Sequence, residues 1–443
     1  MDDNLRRESW QCSVMLSSKL KKVVPRSLVN VAWHLPKALL ANILYGFPAQ
    51  KIKVIAIAGT KGKTTTTYLT AQLLEASGER VALCSTALVK IGEDEQLNDL
   101  KMTTPSVFYL QGFLRKAVNA GCTYAVLEVS SHALKQFRVW GVPFEVVVLT
   151  NLSPDHLEYH KDARDYAETH WRLFGAQTRT VVLNGEDPDV AMFKEAAAKK
   201  VMVGTTVQDD LAVQNIHHEQ GFMMATVHTQ GQSMTLRQSL PGEFNIWNTA
   251  MALGVMSALG KDVRKAVEAT TTLKSAPGRM ETLTLDAPFS VIVDYAHSPA
   301  SLEKFFAAVK PFVSNHLWVV MGACGERDPV QRPIMGRLLA ESADGLIVTN
   351  DDPYGEDPEQ IANQLIQGIQ QAGRLEAGKS WWKVLDRRQA ILQAMSMAGE
   401  GDVVAILGKG AEQWQVFADK KIPWDDRRIA AEAWMSIKKE DTV

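Results

Sequence analysis

The 443-residue chain has no uninterrupted apolar run long enough to cross a bilayer, no block of five like charges, no internal repeat and no low-complexity tract. A formal net charge of -2 supplies no broad basic field, which excludes nucleic acid as an expected partner. Cysteine is scarce: Cys12, Cys84, Cys122 and Cys324 are scattered without the paired spacing of a zinc site or a disulfide framework, and a reducing cytoplasm fits best. The basic start lacks the apolar core and small-residue cleavage site of a signal peptide. The most hydrophobic early stretch, "SLVNVAWHLPKALLANILYGF", is broken by Asn30, His34, Pro36, Lys37 and Asn42. It reads either as a helix docked on the protein's own core or, with Lys19, Lys21, Lys22 and Arg26 just upstream, as a helix weakly associated with an anionic membrane surface.

What the chain does have is alternation. "KVIAIAG", "RVALCST", "TYAVLEVS", "FEVVVLTNL", "TVVLNG" and "KVMVGT" are apolar runs of buried-strand length separated by amphipathic stretches, the pattern of an α/β fold with a mostly parallel sheet. "VQNIHHEQGFMMATVHTQGQSMTLRQSLPGEF" alternates with Gly-containing turns and predicts an antiparallel edge ribbon of two or three strands. After the helix "NIWNTAMALGVMSALG" and the linker "LKSAPGRME", alternation restarts with "FSVIVDYAH", "HLWVVMGACG", "DGLIVTNDD" and "GDVVAILGKG". The reading is a short helical basic segment (1–52), a central ATP-binding domain (53–275) and a C-terminal Rossmann-like α/β domain (276–443).

"GTKGKTTTT" follows the first strand and opens a helix, so backbone N–H groups and the helix N-terminus would meet phosphates. Gly59, Thr60, Lys61, Gly62, Lys63, Thr64 and Thr65 form this loop; Lys63 would neutralise phosphate oxygens and Thr64 would ligate Mg²⁺. The usual first glycine is Ile57 here, so the loop is a shortened variant. "LEVSSHAL" and "TNLSPDHLEYH" end two further strands with carboxylate, hydroxyl and imidazole groups, which places Glu128 to hold Mg²⁺ and His156 near a second cation.

These segments, with "TTP", "LPGEFNIWN", "PGRME", "VDYAHSPASLEKF", "GERDPVQRPIMG" and "DDPYGEDP", resemble the Mur ligases, above all the branch that adds the third residue to a UDP-N-acetylmuramoyl peptide; the motifs keep family order across residues 54–430. The resemblance implies an ATP- and Mg²⁺-dependent, ADP-forming amide ligase of peptidoglycan precursor synthesis. In such an enzyme a peptide carboxylate takes the γ-phosphoryl group to give an acyl phosphate, which a free amino acid converts to an amide. It also implies that Thr103, Thr104, Ser130, Gln136 and Arg138 hold the muramoyl dipeptide and that Asn245 and Asn248 hold ATP. Arg279 and Asp294 would be the pair the second domain brings to the nucleotide, and Arg327, Gly408 and Glu412 the grip on the incoming amino acid.

The pattern departs from its relatives in three places. Only 52 residues precede the strand that leads into the loop, too few for the relatives' uridine-binding domain, so the expectation is a weakly read nucleotide or another carrier. The amino-acid-selecting motif, "DNPR" in diaminopimelate-adding relatives, reads Asp351, Asp352, Pro353, Tyr354; without the arginine, a substrate lacking a distal carboxylate is expected, its side-chain amine met by Asp351, Asp352 or Glu412. Where relatives carry a carbamylated lysine this chain has His170, expected to act at the metal without a carbamate. Two other readings remain: a ligase of the same superfamily acting on folylpolyglutamate or polyglutamate, and a partner-binding ATPase that no longer ligates. Oligomeric state is not legible.

Overall fold

The computed structural model describes residues 30–100, 102–153, 159–174, 178–193 and 199–440. Strands β1 (Lys53–Ala58), β2 (Val81–Cys84), β3 (Leu88–Ile91), β4 (Asp94–Leu97), β5 (Tyr124–Glu128), β6 (Phe144–Leu149), β7 (Thr178–Asn184), β8 (Lys200–Gly204), β9 (Leu211–Glu219), β10 (Phe222–Thr229) and β11 (Gln232–Gln238) form one sheet in the order β11-β10-β9-β8-β7-β6-β1-β5-β2-β3-β4. The interior is parallel and each edge is an antiparallel ribbon. Alternate residues of β1 serve two cores: Ile55 and Ile57 pack with Leu69, Leu73 and Leu74, while Val54, Ala56 and Ala58 pack with Leu110, Phe113 and Leu114. That double burial is why the strand reads as a continuous apolar run.

Five helices matter for the site and its surroundings: α1 (Leu35–Leu44), α2 (Lys63–Ala76), α3 (Val107–Asn119), α4 (Ala163–His170) and α5 (Glu243–Ala258). The ribbon predicted from "VQNIHHEQGF" onward is β9–β11, on the edge of the same sheet. The β3–β4 hairpin on the opposite edge was not anticipated. A second sheet has the order β12 (Glu281–Thr282), β13 (Ser290–Asp294), β17 (Val403–Leu407), β14 (Leu317–Met321), β15 (Gly345–Val348), β16 (Trp381–Lys383), and is parallel except at β12. The segment joining the two sheets is clamped to α2 by a reciprocal amide pair: Gln72 Nε2 donates to Lys274 O (3.0 Å) and Lys274 N donates to Gln72 Oε1 (2.9 Å). Among the described residues no helix is long and apolar enough to cross a membrane. Lys19, Lys21, Lys22, Arg26 and His156 lie outside the described residues.

Candidate active site

β1 lies between β5 and β6, so the loop after it opens at a crevice bounded by the C-terminal ends of both neighbours. The loop requires its glycines. Gly59 has φ +126°, and a Cβ there would lie 2.3 Å from Thr150 Oγ1; Gly62 has φ +80°, and a Cβ there would lie 2.3 Å from Asn248 Oδ1. The residues after β6 strap the loop down. Thr60 N donates to Asn151 O (2.9 Å), Lys61 N to Asn151 Oδ1 (2.9 Å), and Asn151 Nδ2 returns a bond to Lys61 O (2.9 Å). Lys63 Nζ folds back over the loop onto Gly59 O (3.0 Å) and Thr60 O (2.9 Å). Thr65 is half-buried on the first turn of α2.

Thr64 and Glu128 are brought together: Thr64 Oγ1 donates to Glu128 Oε1 at 3.0 Å, and both side chains are buried. Glu128 Oε2 accepts from Thr86 N at 2.7 Å. This hydroxyl and carboxylate set, beside a backbone phosphate cradle, fits hard Mg²⁺ and a nucleoside triphosphate. Asn248 couples loop to helix: Thr66 Oγ1 donates to Asn248 Oδ1 (3.3 Å), Asn248 Nδ2 to Asn245 Oδ1 (3.0 Å), and Asn245 Nδ2 to Pro241 O (2.7 Å).

The residues expected to hold the acceptor form a network on the same strand end. Thr104 Oγ1 donates to Glu128 O (2.9 Å) and accepts from Ser130 N (3.0 Å); Thr86 Oγ1 donates to Thr103 Oγ1 (3.1 Å). Arg138 Nη1 donates to Thr104 O, while its Nε (3.0 Å) and Nη2 (2.6 Å) hold Gln136 Oε1.

His170 is fully buried on α4. Its Nδ1 lies 3.0 Å from Tyr166 O, an acceptor only, so Nδ1 carries the proton and Nε2 presents a lone pair. Among the described residues, Nε2 has no hydrogen-bond partner. Burial, reinforced by the Lys63 and His160 charges, pushes its pKa down to about 4. Tyr166, one turn earlier on the same face, reaches the phosphate loop: its hydroxyl lies 2.9 Å from Thr60 Oγ1, which itself donates to Ser153 O (3.0 Å).

Across a cleft the second unit contributes a different cluster. Lys409 Nζ, buried, donates to Asp351 Oδ1 (3.3 Å), Asp352 Oδ1 (2.8 Å) and Glu412 Oε2 (3.0 Å). The carboxylates expected to meet a substrate amine are therefore already turned onto a lysine of the chain, because three acids this close need a counter-charge when buried. Among the described residues the buried Asp351 Oδ2 has no hydrogen-bond partner; a Cβ on Gly408, at φ +109°, would lie 2.4 Å from it. Asp294 accepts from Met280 N (2.7 Å) and Ala296 N (2.8 Å), and burial pushes its pKa up against the pull of Arg279, which stacks 4.4 Å over Tyr295. Thr86 and Asn98 line the cleft from one side, Arg279, Tyr295, Lys409 and Glu412 from the other. Arg327 is exposed and makes no hydrogen bond to Gly408 or Glu412 among the described residues, so the structure does not join it to the amino-acid grip. Tyr354 takes the left-handed φ of +50°, held by its N–H on Val416 O (3.2 Å).

Sequence reasoning passed over Thr86, Asn151 and Lys409. All three stood inside quoted stretches: "RVALCST", "TNLSPDHLEYH" and "GDVVAILGKG".

The Mur ligase middle domain matches residues 57–256, and the Mur ligase glutamate ligase domain matches residues 278–410. The chain belongs to the Mur ligases. As such it is an ATP-dependent, ADP-forming ligase of peptidoglycan precursor synthesis. It is 38% identical over 406 residues to the UDP-N-acetylmuramoyl-L-alanyl-D-glutamate--2,6-diaminopimelate ligase of Thermosynechococcus vestitus, covering 89% of this chain and 79% of that one. A UDP-N-acetylmuramyl-tripeptide synthetase of Roseiflexus sp. is 35% identical over 413 residues, covering 89% and 80%. A solved UDP-N-acetylmuramoyl-L-alanyl-D-glutamate--2,6-diaminopimelate ligase superposes with a TM-score of 0.65 at 32% identity over 89% of this Mur ligase and 82% of that chain.

Proposed function

We propose that this Mur ligase joins a free amino acid lacking a distal carboxylate to a UDP-N-acetylmuramoyl dipeptide or a close analogue. One observation carries the reading: Glu128 binds Thr64 of the phosphate loop through its side chain and Thr104 of the acceptor network through its backbone carbonyl. Phosphate donor and acceptor carboxylate would thus be held against one strand end, the arrangement a phosphoryl transfer needs. Mg²⁺ held by Thr64 and Glu128 would neutralise charge on the transferring phosphoryl group. The Lys63 ammonium offsets the remaining negative charge, and Arg138 with Gln136 orients the acceptor. The acceptor carboxylate oxygen takes the γ-phosphoryl group and ADP leaves; the amino nitrogen then attacks the acyl carbon, loses a proton, and inorganic phosphate departs. Lys409 and Glu412 line the cleft on the side from which the amino acid would enter, with Asp351 and Asp352 buried around Lys409. Burial keeps the His170 imidazole neutral, with Nε2 as an acceptor for a metal-bound water or as a cation ligand.

The test is phosphate release measured with acceptor and amino acid supplied separately and together. Release only when both are present supports the ligase; equal release without either identifies an uncoupled ATPase.

A further inference from the structure

Val31, Trp33, Leu39, Leu40, Ile43 and Leu44, each 44–66% exposed, form a cluster of large apolar side chains on and just before α1. The side of α1 that meets the protein carries Ala38, Ala41 and Asn42, all fully buried. The helix buries its alanines and exposes Leu39, Leu40 and Leu44, the reverse of a helix kept only for the core. Leu39 and Ile43 are four residues apart, as are Leu40 and Leu44, so the four make one stripe. The helix is firmly docked beneath: Asn42 Nδ2 donates to Trp140 O (3.1 Å), and Arg115 Nη2 donates to Gly46 O (2.9 Å). Trp140 is itself 38% exposed beside it.

Charge selects the occupant. Between Glu8 and Glu75 the sequence contains no aspartate or glutamate, whereas Lys19, Lys21, Lys22, Arg26 and Lys37 fall in that interval ahead of or within α1. Lys37 Nζ lies 4.1 Å over the Trp33 ring, which keeps its ammonium beside the apolar stripe. A second copy docked face to face would bring Lys37 towards its counterpart, whereas an anionic surface would neutralise it. Trp33 and Trp140 are the side-chain type that settles at a lipid headgroup boundary.

We propose that the α1 stripe is a docking surface for an anionic lipid bilayer, with the helix lying in the interface plane and the catalytic units in water. The surface sets where the enzyme sits and leaves its chemistry unchanged.

Flotation of the full-length protein with vesicles of phosphatidylglycerol and phosphatidylcholine, against phosphatidylcholine alone, tests this. The expected result is binding to the anionic vesicles that weakens roughly tenfold or more on the neutral ones and in high salt. The double variant Leu39→Glu, Ile43→Glu, changing only exposed positions, should lose roughly tenfold or more in partitioning while keeping its circular dichroism and ligase rate. Lys37→Glu, which leaves the stripe intact, should lose at least about fivefold. Absence of anionic vesicle binding by the wild type, or equal binding by the double variant, overturns the proposal. So does light scattering in which the wild type is a dimer without lipid and the double variant a monomer, because the stripe would then belong to a second copy.

Discussion

Thr64 Oγ1 donates to Glu128 Oε1 across 3.0 Å, tying the first turn after the phosphate loop to the end of the neighbouring strand. Glu128→Gln keeps an acceptor there but removes the anion that would face Mg²⁺, and should lower kcat/KM by about 10²-fold. Lys63→Ala should cost about 10³-fold, because on the proposed mechanism its ammonium would be the loop's own counter-charge for the transferring phosphoryl group. Phosphate release in the presence of both substrates measures each. A variant at either position with unaltered turnover would remove it from the chemistry.

His170 ties stability to acidity. Its folded pKa is depressed from 6.5 to about 4, so on acidification the unfolded chain takes up this proton first. Its contribution is fully present above pH 6.5, is lost as pH falls towards 4, and stays constant below. Between pH 6.5 and about 5 the loss is on the order of 2 kcal/mol. Urea denaturation at both pH values, compared with His170→Gln, should show a shallower pH slope in the variant. Ligase activity should fall in His170→Ala and be indifferent to bicarbonate removal; bicarbonate dependence would point to a carbamylated lysine elsewhere.

On the proposed amino-acid assignment, Tyr354 takes the position of an arginine that would grip a distal carboxylate. In competition between lysine and diaminopimelate, lysine should be preferred by about tenfold or more, since a lost bidentate contact typically costs a few kcal/mol. Tyr354→Arg should narrow that preference. Clear selection of diaminopimelate by the wild-type enzyme would contradict the assignment.

Lys409 neutralises a buried acidic cluster. Lys409→Met should destabilise the fold by about 3–5 kcal/mol, because it leaves carboxylates uncompensated. Adding Asp352→Asn should recover part of that loss, since the amide oxygen can still accept the Val416 N–H that Asp352 Oδ1 accepts at 2.9 Å. Urea melts of the single and double variants give the coupling directly; a cost below about 1 kcal/mol for the single variant would deny Lys409 that role.

The α/β class was legible because its inner strands are buried on both faces, which turns them into apolar runs such as "VVVL" in β6. The β3–β4 hairpin was not, because its second strand, Asp94–Leu97, is short, polar and mostly exposed, with Gly92 at φ +61° its main signal. The strand–glycine loop–helix turn after β1 could be read because strand, glycines, lysine and threonine are contiguous. Lys409 could not: a lysine is ordinarily a surface residue, and only the meeting of two loops distant in sequence buries this one. Thr86 escaped for a similar reason, since its backbone N–H, not its side chain, grips Glu128.

The pair of hydrogen bonds between Asn151 and Lys61 has a kinetic consequence. A loop fastened at its own backbone by the next strand arrives at the nucleotide already shaped, so little chain entropy remains to be lost on binding. Capture of the triphosphate should then proceed in a single bimolecular step whose observed rate climbs linearly with nucleotide concentration, with no plateau from a slow ordering event.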